Sequence, residues 1–194
     1  TMLANALPHL LPPLDIGQTI EVTQLHSIAT RSTNVISAPP LRKPHHTASH
    51  IAVLGGGRPP IPGEISLSHN GVLFLDELPE FNRLTLEGLR QPLEDHEIRI
   101  ARADNTVTYP ADFILVATQN PCPCGFWGDE KQECTCLPAQ ISHYQKKLSG
   151  PLKDRFDLLI NVPRPSADTV LRNKASEGLS TAEAQAIIIE ARKK

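Results

Sequence analysis

The chain has 194 residues, 40% of them hydrophobic and 21% charged, with 19 Lys and Arg against 21 Asp and Glu for a net charge of −2. That balance excludes a disordered tail and a bulk polycation, so any nucleic-acid contact has to be local. No run reaches the ~18 apolar residues of a membrane helix, and the opening residues do not read as a basic-then-apolar leader.

Proline is the outlier, 18 residues or roughly twice ordinary usage, which predicts short elements and many loops. Leu3, Leu7 and Leu10 recur at helical spacing until Pro12 and Pro13 stop the run. A second helix is expected from about Ile16 to Ala29. Residues 30–70 then change character. They hold Pro39, Pro40, Pro44, Pro59, Pro60 and Pro62, the run Gly55-Gly56-Gly57, and His45, His46, His50 and His69. This predicts a long loop or insertion, with a short helix or strand at His50–Leu54.

Val72–Leu75 and Phe113–Ala117 are unbroken apolar runs, as expected of parallel strands covered on both faces. Between them a helix is expected from Asn82, burying Leu86, Leu89 and Leu93 and closed by Pro92. Residues 98–102 and 106–109 predict a hairpin turning at Asp104-Asn105. Pro138 opens a further helix with Ile141, Tyr144 and Leu148 on one face. A third strand is expected at Leu158–Val162, and Ser180 with Glu183 forms a capping box for a last helix. The alternation of helices and apolar strands predicts an α/β fold, a parallel sheet flanked by helices.

In such sheets ligands bind at the carboxyl ends of the strands. One strand ends in Asp76-Glu77 and the other runs into Asn120. Asp76 suits Mg²⁺ held through water, and Glu77 suits polarising the water that attacks a γ-phosphate. Asn120 could position the same water. An Asp-Glu pair by itself also caps ordinary turns; the pairing with Asn120 favours the functional reading. Thr1, at a helix start, could be the last residue of a phosphate loop, with its hydroxyl on Mg²⁺. The glycines and lysine of such a loop are not in these residues, and Gly55–Gly57 leads into Arg58-Pro59-Pro60, so it is no substitute.

The cysteines form Cys122-x-Cys124, nine residues, then Cys134-x-Cys136. With no secretory signal a disulfide framework is disfavoured, and four thiolates in a Gly/Pro-containing loop suit tetrahedral zinc. The spacing is tighter than the common knuckle, and four reduced loop thiols are the alternative.

Several stretches resemble the magnesium-chelatase-like AAA+ ATPases, and within them the ComM (YifB) subfamily. They are Thr1-Met-Leu-Ala-Asn-Ala-Leu-Pro, Arg42-Lys-Pro-His-His-Thr, Pro62-Gly-Glu-Ile-Ser-Leu, Gly71-Val-Leu-Phe-Leu-Asp-Glu-Leu-Pro-Glu-Phe, Asn120-Pro-Cys-Pro-Cys-Gly and Gly150-Pro-Leu-Lys-Asp-Arg-Phe-Asp. The resemblance covers essentially the whole chain. It implies an AAA+ P-loop core over residues 1–165, lacking the P-loop strand, with a linker and the start of a helical lid over 166–194. Thr1 would end Walker A, Asp76 and Glu77 would be Walker B, and Asn120 sensor 1. Arg155 would be an arginine finger acting in trans within a homo-hexameric ring, against a plain salt bridge to Asp154 or Asp157.

The implied cofactors are ATP and Mg²⁺, with Zn²⁺ at the cysteines. The implied activity is ATP-driven branch migration of DNA in the cytoplasm, with no membrane partner. The histidine-rich insertion and the 98–109 hairpin would line the pore, where Arg42, Lys43, Arg58, Arg99 and Arg102 could meet a phosphate backbone. Arg99 and Arg102 are three apart, so a regular strand would point them to opposite faces. Adjacent His45 and His46 read as polar loop residues or as a metal pair. Two other readings compete: the ATPase subunit of a magnesium chelatase, and a non-catalytic zinc-binding or oligomerisation piece. Residues 1–194 alone are expected to show no ATPase activity, because the Walker A glycines and lysine would precede Thr1 and the rest of the lid would follow Lys194.

Overall fold

The computed structural model describes residues 2–101, 106–162 and 178–192. Two helices open the chain, α1 (Met2–Leu10) and α2 (Ile16–Thr30). Asp15 starts α2 through a reciprocal capping box with Gln18, and Arg31 ends it in the left-handed conformation. Val22 and Leu25 are the buried positions of α2.

The central sheet has three parallel strands in the order β1 (Leu41–Arg42), β4 (Gly71–Leu75), β7 (Phe113–Ala117). β4 lies in the middle and buries all five residues, as its unbroken apolar run demands. Its entry passes hard against the preceding loop. A Cβ on Gly71 would fall 2.1 Å from the Pro40 carbonyl oxygen, so only glycine fits there. β7 departs from expectation. It has a strand neighbour on one side only among the described residues, and Ile114 is exposed.

Residues 30–70 are more ordered than a long loop. β1 joins the main sheet, and α3 (His50–Leu54) forms at the expected place, capped by the Ser49 hydroxyl. The two-residue strands β2 (Gly55–Gly56) and β3 (Ile61–Pro62) pair antiparallel, and α4 (Glu64–Leu67) leads into β4. The prolines and glycines punctuate these pieces without dissolving them.

The helix expected after Asn82 is two helices. Asn82 caps α5 (Arg83–Gly88) with bonds from the Leu84 and Thr85 amides, and α6 (Arg90–Asp95) follows. Pro92 lies inside α6 and does not close it. It lacks the N–H that would bond the carbonyl of Gly88, so the break falls one turn earlier, at Leu89. Leu86 and Leu89 are buried as predicted, with Leu93 packed at the edge of the same core.

The hairpin is β5 (Glu97–Ala101) against β6 (Thr106–Pro110), with Ile98 and Ile100 turned into the core and Arg99 out. Its turn, including Arg102, Asp104 and Asn105, lies outside the described residues. Further on are α7 (Pro138–Gln145), α8 (Gly150–Lys153) and α9 (Thr181–Ala191), whose Ser180–Glu183 capping box forms as expected. α9 packs on α1, and Gln185 Nε2 donates to the Leu11 carbonyl at 3.1 Å.

The third strand does not form. Residues 158–162 have no regular structure, and Leu158, Leu159, Ile160 and Val162 are 68–90% exposed. An apolar run becomes a strand only where it pairs with a sheet edge, and this one does not reach the edge of β7. The expected boundary at 165/166 lies outside the described residues.

Candidate active site and metal centre

β4 and β7 run parallel in the register Leu75↔Ala117, so Asp76-Glu77 and Thr118-Gln119-Asn120 leave the sheet side by side. Thr118 laces the two exits together. Its N–H donates to the Leu75 carbonyl at 3.1 Å, and its carbonyl accepts from Leu78 N–H at 2.8 Å. Its hydroxyl donates to Asp76 Oδ1 at 2.6 Å and accepts from Glu77 N–H at 2.9 Å.

Glu77 sits at φ 56°, ψ 54°, a left-handed conformation that costs a non-glycine residue about 1 kcal/mol or more. The Thr118 bonds hold it there, together with the 3₁₀ turn Leu78–Glu80 that follows. Sequence reading passed over Thr118. The available signal was a hydroxyl residue directly after an apolar strand, beside Asn120.

His46 is the second residue that long-range folding adds. Its Nδ1 lies 3.8 Å from Glu77 Oε2, its ring stands edge-on to Phe81, and it stacks on His45. The side chains of Asp76, Glu77 and Asn120 belong to exposed residues, a set of oxygen donors open to a hard cation and a phosphate. Thr1 lies outside the described residues.

Below Asn120 sits Tyr144 of α7, 4% exposed. Burial pushes the Tyr144 hydroxyl above its ordinary pKa, the Glu80 carboxylate adds to the rise, and a hydrogen bond from the Asn120 backbone opposes it. Arg155, just past α8, turns back into its own chain. Its guanidinium donates to the Glu94 carboxylate and to the Pro151 carbonyl, so its ion-pair partner is neither Asp154 nor Asp157.

The four cysteines converge. All four sulfurs lie within 4.8 Å of one another, with Cys122 to Cys124 at 3.3 Å, Cys122 to Cys134 at 3.7 Å and Cys124 to Cys134 at 3.6 Å. Four thiolates at ordinary Zn–S distances form a tetrahedron with edges of about 3.8 Å. The cluster therefore fits a tetrahedral metal ion in both donor chemistry and size. The Cys124 thiol is lowered to about 6, chiefly by the Phe126 backbone. At Cys134 the Cys136 backbone favours the thiolate, but burial and the neighbouring thiols outweigh it and push the group up to about 12. A divalent cation removes that conflict by stabilising all four thiolates together.

The cations expected to meet nucleic acid are mostly engaged. Arg42 forms a bidentate pair with Glu64 at 2.5 and 2.7 Å, and that bond raises its pKa further. Lys43 donates to Asn5, and Arg99 pairs with Glu97 at 2.5 Å. Arg58 is exposed, and Arg102 lies outside the described residues. Among the described residues no helix is long and apolar enough to cross a membrane.

The parallel sheet thus presents an acidic pair and an Asn at adjacent strand ends. The family model described as "Magnesium chelatase, subunit ChlI" matches residues 1–170, and the chain belongs to that family. It is 45% identical over 193 residues to the uncharacterized protein YifB of Salmonella typhimurium, covering 98% of this chain and 38% of that one. Over 196 residues it is 43% identical to the uncharacterized protein YifB of Escherichia coli, covering 100% and 38%. Over 194 residues it is 44% identical to the competence protein ComM of Haemophilus influenzae, covering 99% and 38%. The chain thus spans 38% of the length of each of these curated relatives.

Proposed function

We propose that these residues form the hydrolytic core of a homo-hexameric, cytoplasmic AAA+ ATPase that drives DNA branch migration. The observation that carries this reading is the convergence of Asp76, Glu77 and Asn120 at two parallel strand ends, laced by Thr118. Asp76 and Thr1 would hold Mg²⁺, which when bound with ATP neutralises phosphate charge. Glu77 takes the proton of the attacking water, and Asn120 orients that water from the neighbouring strand. Arg155 leaves Glu94 and serves the nucleotide of the adjacent subunit, where a planar cation stabilises transition-state charge. Cys122, Cys124, Cys134 and Cys136 hold a structural Zn²⁺.

Support for DNA as the substrate comes from the likeness to a competence protein and from the exposed Arg58 on the β2–β3 hairpin. The family's name favours a second reading, an ATPase subunit driving metal insertion by a chelatase. ATPase assays on the full-length protein, with and without branched DNA, separate the two. The motor reading expects DNA-stimulated turnover, strand exchange on branched DNA, and loss of both in Glu77→Gln. ATP turnover indifferent to DNA would shift the assignment to the chelatase reading.

A further inference from the structure

We propose that the four-cysteine centre is a brace for Asn120, so that metal occupancy sets the position of the water-orienting residue. This rests on reading the cluster as a zinc site and Asn120 as part of the hydrolytic core. The loop that carries the cysteines has almost no core of its own. Among residues 121–137 only Cys122 is buried, and Trp127 is half exposed. Asp129 orders the middle of the loop by accepting the Lys131 and Gln132 amides, and sulfur draws its two ends together: Cys122 lies at the cluster and accepts a bond from Trp127 N–H at 3.3 Å.

The two ends of the loop are tied to one place. At its start Asn120 and Pro121 directly precede Cys122; at its end Cys136 is one residue from the N-cap of α7. α7 then returns to the start. Gln145 Nε2 donates to the carbonyl of Pro121, the residue next to Asn120, at 3.2 Å. Lys147 lies over the Tyr144 ring and reaches both Glu80 oxygens at 3.2 Å, joining the same unit to the turn after Glu77.

The circuit runs from Asn120 through Cys122 and Cys124 to Cys134 and Cys136, along α7 and back to Pro121, beside Asn120. The sulfur cluster is its weakest link without a metal, because nothing covalent closes it. A metal clip across that loop removes the conformational freedom that would otherwise let Asn120 drift from Glu77. Gln145 is the positioning residue on the far side of the circuit.

The test uses the full-length protein purified without chelator. Zinc content is measured first, then backbone hydrogen exchange, nucleotide affinity and ATP turnover before and after a thiol-directed mercurial and chelator strip the metal, and again after zinc is restored. The brace expects one zinc per chain. On stripping, exchange rises at residues 118–122 and at the start of α7 while β4 stays protected, and kcat falls roughly ten-fold or more. KM for ATP is little changed, and zinc reverses both effects. Gln145→Met, which removes the amide donor to Pro121 and leaves the cysteines intact, should keep its zinc and reproduce part of the exchange and kcat change. Bound zinc whose removal leaves exchange at 118–122 unaltered would overturn the brace and leave the zinc site standing. Absence of zinc would overturn both. Metal-dependent exchange in a protein with no ATPase activity would uphold the brace as a structural device and defeat the hydrolytic reading instead.

Discussion

Thr118→Val is the sharpest perturbation of the candidate site. Valine keeps the branched shape and the two backbone bonds of residue 118, while the hydroxyl's bonds to Asp76 and from Glu77 are lost. A bond to a carboxylate is worth about 1.5–3 kcal/mol and a neutral one about 0.5–1.5 kcal/mol. Asp76 and Glu77 are exposed, so water replaces part of each bond and the low ends apply, about 2 kcal/mol together. Because water re-solvates both groups, little of that is expected as lost folding stability. It is expected as lost placement of the two acids, and about 2 kcal/mol corresponds to a roughly 30-fold fall in kcat. The assay is steady-state ATP turnover of the full-length protein, with Thr118→Ser alongside. Serine restores the hydroxyl and should recover most of the rate, with KM for ATP nearly constant across the series. A valine variant within about two-fold of the parent kcat would refute the lacing role.

Arg155→Ala in the full-length protein should cost roughly 10³-fold in turnover, as expected for a finger acting in trans. Glu94→Gln should not reproduce that loss, so equal losses in the two variants would make the Arg155–Glu94 pair the functional unit. Phe74→Ala empties the middle of the central strand, where Phe74 is 2% exposed, and should cost about 3–5 kcal/mol in urea unfolding. A loss below about 1 kcal/mol would mean that the sheet is not the stabilising core. His26 supplies a pH test. Desolvation lowers its pKa below the ordinary 6.5, the bond to the Leu67 carbonyl opposing and Arg42 reinforcing the shift. The unfolded state therefore binds the proton more readily, so this contribution to stability is present above about pH 6.5 and is lost as pH falls toward the folded value. Urea unfolding at a series of pH values should show that slope flattened in His26→Gln; an unchanged slope would remove His26 as its source.

Much of the candidate site was legible because it depends on chain neighbours. Asp76 and Glu77 follow an apolar strand directly, so recognising the strand at Val72–Leu75 located the acids. Asn120 followed the same logic from the strand at Phe113–Ala117. The caps at Asn82 and Ser180 were equally local, each a polar side chain bonding an amide two or three residues on. The failures share a different cause. Leu158–Val162 has the composition of a buried strand, yet pairing is a property of two segments and composition describes only one. Pro92 was assigned the end of a helix, whereas its missing donor acts four residues upstream. Arg42 looked like a free cation until α4 brought Glu64 beside it.

The sequence by itself determined the class of fold, the two strands that lead into Asp76-Glu77 and Asn120, and the four sulfurs of one loop. Those are short-range facts, set by periodicity and by residues a few positions apart. Only the tertiary structure decided that Thr118 joins Asp76 to Glu77, that His46 faces Glu77, and that Arg155 rests on Glu94. It also decided that the four sulfurs lie within 4.8 Å of one another and that α7 returns to Pro121, beside Asn120. The physical reason is the parallel sheet. Its neighbouring strands are joined by long crossovers, so the residues that meet at its carboxyl edge are some forty positions apart, and only closure of the fold brings them within hydrogen-bond reach.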